Sequence, residues 1–142
     1  MDYCTQIQLE ARYGAALLVE ISDRADVPTG TIDADLITRA ITDATALIDG
    51  YLAGRYALPL ATIPALVTDL AQRIAIYYAH TNVASEKIGK DYEAALRQLK
   101  DIASGLIKLD AGGAEPAGSG ASEVRTNEPE RPLSAATMKG FV

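Results

Sequence analysis

Two apolar stripes joined by a proline-bearing corner constrain this chain more than anything else in it. The first stripe recurs at Ile37, Ile41, Ala44, Ile48 and Tyr51, widened by Leu36, Ala40, Leu47 and Leu52. The second recurs at Ile63, Val67, Leu70, Ile74 and Tyr77. Steps of three and four place each set on one face of an α-helix, where a strand would alternate. Between them runs Tyr56-Ala57-Leu58-Pro59-Leu60-Ala61-Thr62. Pro59 cannot continue a helix, and it pushes Leu58 toward extended geometry. Neither helix can bury its stripe alone, so the two must fold back on each other. The spacing predicts long helices over 33–56 and 63–81.

The flanks are read relative to that hairpin. Thr5 with Gln8 three residues on is a capping box, opening a short helix that carries Ile7 and Leu9. Gly14 stops it. Residues 15–21 form a second apolar piece of one or two turns. The stretch 22–31 is a loop, with a turn at Pro28-Thr29-Gly30. Ser85 caps a last helix over 85–104, bearing Ile88, Tyr92, Ala95, Leu96, Leu99, Ile102 and Ala103. Gly105 ends it, and Leu106-Ile107-Lys108-Leu109 is an apolar coda. The expectation is an all-α fold for 1–109: a small helical bundle of about three long helices plus one or two short N-terminal ones.

From Asp110 the composition changes. Residues 110–142 are rich in Gly, Ala, Ser and Pro and carry no apolar period, so they cannot build a core. Large apolar residues return near the end, at Leu133, Met138, Phe141 and Val142. This reads as an extended C-terminal arm with an apolar tip that contacts a partner.

Chemistry is sparse. The net charge of −6 weighs against phosphate-backbone binding, which needs a basic face. Cys4 is the only cysteine, which excludes an intramolecular disulfide and a thiolate metal cluster and suits a reducing cytoplasm. No run reaches the roughly 18 apolar residues of a membrane span, and the N-terminus lacks a signal-peptide pattern. His80 has no second His to pair with and reads as structural. Asp23, Asp26 and Asp33 fail the EF-hand spacing, because Ala25 and Val27 stand where oxygen ligands belong. Asp33 is better placed as a helix cap, with Ile32 stapled onto Ile37. Arg39 with Asp43, Asp69 with Arg73, Glu86 with Lys90, Glu93 with Arg97, and Arg97 with Asp101 stand four apart as helix-surface pairs, each worth about 0.2–0.5 kcal/mol. Gly50 and Gly54 suggest close helix approach, or else a small-residue surface for a neighbouring subunit. No phosphate loop or nucleophile–base set is present. The expectation is no enzyme activity, no metal and no cofactor.

The string Ile48-Asp49-Gly50-Tyr51-Leu52-Ala53-Gly54-Arg55-Tyr56-Ala57-Leu58-Pro59-Leu60, with a Tyr3-Cys4-Thr5 start, resembles the Mu-like phage and prophage head–tail connector (head completion or adaptor) family. So do the run from Tyr92 to Gly105 and the closing Met138-Lys139-Gly140-Phe141. The likeness covers Tyr3 to about Leu109 and the tip; 111–131 carries none of it. The resemblance implies a structural virion protein at the head–tail junction, assembled in the host cytoplasm. It implies a ring of copies, typically a dodecamer, below the portal protein and above a tail-side connector or tail terminator protein. DNA would pass through the lumen without sequence-specific binding, and no membrane is involved. Arg55 and Tyr56, within the most specific part of the string, are expected to have a placed role at the corner. With Leu133, Met138, Phe141 and Val142 they are the candidate partner-binding residues. Two competing readings are a helical nucleic-acid-binding regulatory protein of a phage or prophage, and a noncatalytic subunit or scaffold of a bacterial enzyme. Against the first, these helices are long and mix acidic with basic residues, unlike a short basic recognition helix.

Overall fold

The computed structural model describes residues 1–110, which form helices and no strand. In order these are α1 (Gln6–Tyr13), α2 (Ala15–Ser22), α3 (Ala34–Leu52), α4 (Ala65–Ala79) and α5 (Glu86–Ser104). Helices α3, α4 and α5 pack on one another, and α1 lies against both α3 and α4. The described residues form the expected all-α bundle of three long helices, with two short N-terminal ones where one or two were expected. The expected arm and its tip fall outside the described residues.

The caps explain most of the boundaries. Thr5 and Gln8 close the capping box on α1. The Asp33 carboxylate accepts from the amides of Asp35 (3.1 Å) and Leu36 (3.2 Å), so α3 begins just after it. Helix α3 stops at Leu52, short of the expected Tyr56, because the Leu52 carbonyl takes the amides of both Arg55 (2.9 Å) and Tyr56 (2.8 Å). That closes a tight turn in place of a further helical one. Pro64 occupies the N-cap of α4, and His80 ends the helix in extended geometry. His80 Nδ1 donates to the Ile76 carbonyl at 2.7 Å, satisfying one of the last open acceptors of α4. Helix α2 runs one residue further than expected. Ser22 is buried there, donating to the Leu18 carbonyl (2.6 Å) and accepting from the Asp33 amide (3.0 Å), so it ties α2 to the start of α3.

Helix α4 is the centre. Val67, Leu70, Ala71, Ile74, Ala75, Ile76 and Ala79 are all buried, on more than one face, because neighbours cover it on several sides. A single stripe ending at Tyr77 was expected. Ile76 is buried instead, and Tyr77 is 36% exposed. The Asp69–Arg73 pair, expected on the surface, is also different: Arg73 is 9% exposed and bridges Asp69 (2.7 Å) to Gln98 of α5 (2.5 Å). Asp69 also takes Arg12 of α1 at 2.6 Å, so Asp69 and Arg73 together link α1, α4 and α5. Glu86–Lys90 closes as expected, at 2.7 Å. Gly50 and Gly54 are exposed, and a Cβ added at either would meet nothing within 4 Å. The close helix approach expected there is therefore not made.

The N-terminal residues act as a strap. Tyr3 and Cys4 are buried; the Tyr3 amide donates to Thr45 Oγ1 (3.2 Å) and its phenol donates to the Asp49 carboxylate. Burial, then Asp49, raises the phenol well above its ordinary value. Burial, then the charge of Asp2, pushes the Cys4 thiol from 9.0 up to about 12. The folded chain thus holds these protons where the unfolded chain has lost them. Their contribution is intact below the unfolded value of 9.0 and is lost as pH rises toward about 12. The urea midpoint should fall between about pH 8 and about pH 10.5, and less steeply in the Tyr3→Phe, Cys4→Ala double variant. An equal fall in that variant would place the titration elsewhere.

Candidate interaction surface

The corner after α3 gathers residues far apart in sequence. Tyr56 is buried, and its hydroxyl accepts the Leu109 amide at 2.9 Å. Leu109 is itself part of the core. Gly105 ends α5 in the left-handed region, at φ 84°. A Cβ there would fall onto the Arg55 guanidinium, so Arg55 lies directly over the C-terminus of α5. A cation in that position meets the negative end of the helix dipole. The Ile107 amide also turns back, donating to the Asp101 carbonyl at 3.1 Å. Arg55 and Tyr56 therefore grip the segment through which the chain leaves its last helix, and they set its direction.

The structure brings these two expected residues together with Gly105 and Leu109. Leu133, Met138, Phe141 and Val142 lie outside the described residues. The grip on Leu109 was not found from sequence: Gly105 read only as a helix stop and Leu109 as part of an apolar coda. Replacing Tyr56 with Phe keeps the ring but leaves the buried Leu109 amide without an acceptor. The expected loss is about 1–3 kcal/mol by chemical denaturation. An unchanged midpoint would mean that this hydrogen bond contributes nothing.

A second surface lies at the other end of α5. Val83, in the loop between α4 and α5, is 98% exposed. Beside it an open groove of about 610 Å³ is lined by Tyr77, His80, Val83, Gly89, Lys90 and Glu93, among others. Tyr77 stacks face to face on Tyr92 of α5, centroids 4.0 Å apart and planes within 3°. Tyr78 packs obliquely on both. Burial, then its hydrogen bond to Tyr92, pushes the Tyr78 phenol up to about 12. Nothing in the sequence marked this cluster, because Tyr77 and Tyr92 read as ordinary members of two stripes.

The acidic loop residues have local roles. Asp23 accepts from the amides of Thr29 (2.8 Å) and Gly30 (2.9 Å) and from the Thr29 hydroxyl (3.0 Å). These bonds lower its pKa, that from Gly30 foremost. Among the described residues no three His, Cys, Asp or Glu side chains group to hold a metal ion. No described helix is long and apolar enough to cross a membrane.

Comparison with known proteins places the chain. It is 36% identical over 107 residues to the Mu-like prophage FluMu protein gp36 of Haemophilus influenzae, spanning 75% of this chain and 74% of that one. It is 32% identical over 147 residues to Gene product J of Escherichia phage Mu, spanning 100% of both. The model of the family Bacteriophage Mu, Gp36 matches residues 3–127, so the family likeness runs on past Leu109 through most of 111–131. This chain belongs to the bacteriophage Mu Gp36 family.

Proposed function

We propose that this chain is a head-to-tail connector: a structural virion protein that forms a ring, a dodecamer in the simplest case, below the portal protein. It joins the DNA-filled capsid to the tail-side connector or tail terminator protein and lets DNA pass. The reading assigns it no catalytic role, no metal and no cofactor. Its observation is the grip of Arg55 and Tyr56 on Gly105 and Leu109. A compact helical body in which residues 105–109 are pinned at the corner suits a subunit that must reach a neighbour. Membership of a phage Mu family supports a particle role. The net charge of −6 suits a lumen that must not retain phosphates.

The test is loss of the gene from a phage that encodes it. Lysates should contain DNA-filled heads and separate tails, and added purified chain should restore joined particles. Complete particles formed without the chain would rule the connector role out.

A further inference from the structure

The groove beside Val83 sets an exposed apolar side chain next to a tyrosine ring. Its platform is the Tyr77 ring, held in place by Tyr92 beneath it and Tyr78 beside it. A ring already fixed loses little freedom when a ligand lies on it. The wall at Gly89 is open, since a Cβ there would meet nothing within 4 Å. The rim is acidic: Glu86 holds Lys90 at 2.7 Å, offsetting its charge, and Glu93 is exposed on the same edge.

The matching ligand is in the chain itself. Residues 129–133 read Pro-Glu-Arg-Pro-Leu. Proline-x-x-proline segments dock on aromatic-lined grooves as polyproline II helices, three residues per turn, which puts both prolines on one edge. An arginine between them suits a carboxylate on the rim. The chain leaves its last helix at the C-terminal end of α5, whereas the groove lies at the N-terminal end. A helix of 19 residues separates those ends by about 28 Å. The residues between Asp110 and Pro129 span up to roughly 60–70 Å when extended. Donor and acceptor at opposite ends of one subunit make a head-to-tail contact, the kind that closes into rings. We infer that residues 129–133 of one copy dock in the α4–α5 groove of the next copy, prolines and Leu133 against Tyr77 and Val83, Arg131 against Glu93. The inference rests on the ring-forming part of the proposed function and names its contact.

Disulfide trapping in the full-length chain tests it. One preparation carries Val83→Cys and another Ser134→Cys; the natural Cys4 is buried and serves as background in both. Mixed under mild oxidation, they should give a linked dimer that the unaltered chain does not. Arg131→Glu in the Ser134→Cys chain should cut the yield by more than about tenfold, since it sets like charges together. Glu93→Arg in the other chain should restore it. No mixed dimer, or a dimer indifferent to Arg131→Glu, overturns the contact. So does a chain carrying both cysteines that closes only on itself, which would put the segment in its own groove. The readout is on purified protein: if the connector role fails, trapping still stands, and if trapping fails, the gene-loss phenotype still stands.

Discussion

A chain ending at Asp110 should fold like the full-length protein and fail to join heads to tails. All the buried core residues from Tyr3 to Leu109 are kept in it, including the Tyr56–Leu109 hydrogen bond. What it loses is the segment assigned to partners. Ordering such a segment against a partner costs about 1–2 kcal/mol of backbone entropy per residue. Burying Leu133, Met138, Phe141 and Val142 returns about 1.5–3 kcal/mol each, too little to order the whole stretch. Backbone hydrogen bonding or a stiff proline-bearing segment must supply the rest. The check is an assembly assay with extracts lacking the chain, alongside far-ultraviolet circular dichroism of the truncated protein. Full-yield infectious particles from the truncated chain would make residues 111–142 a dispensable extension.

Leu70→Ala should be among the most damaging single changes to the body. Leu70 is fully buried on α4, the helix that packs against α3, α5 and α1. Truncating a buried leucine removes its transfer energy and leaves a cavity, about 2–5 kcal/mol together. Total stability for such a domain is about 5–15 kcal/mol, so much of it would go. Tyr77→Ala on the same helix should cost clearly less, because Tyr77 is already 36% exposed. Urea denaturation of both variants checks the ranking. Equal losses would mean that α4 is not the centre of the core.

The three long helices were legible because each carries an apolar period along its own length, and the caps at Thr5, Asp33 and Ser85 are local signals. What was illegible depends on residues distant in sequence. The spacing of four pairs Arg73 with Asp69, but nothing near Arg73 shows that Gln98 of α5 will help to enclose it. Nothing near Tyr77 shows that Tyr92 will receive its ring at the surface. The end of α3 moved because one carbonyl, Leu52, gathers two amides, a choice that periodicity does not encode. At the corner the sequence string singled out Arg55 and Tyr56. What they hold became visible only when the fold brought Gly105 and Leu109 to them.

Image reconstruction of the intact particle, with this chain's helices fitted at the portal vertex, is the most direct test of the connector role. The result expected is a closed ring of this five-helix body between portal and tail, each copy's C-terminal segment running onto a neighbouring chain. Finding the chain absent from the virion, or located on the capsid shell or at the far end of the tail, would contradict it.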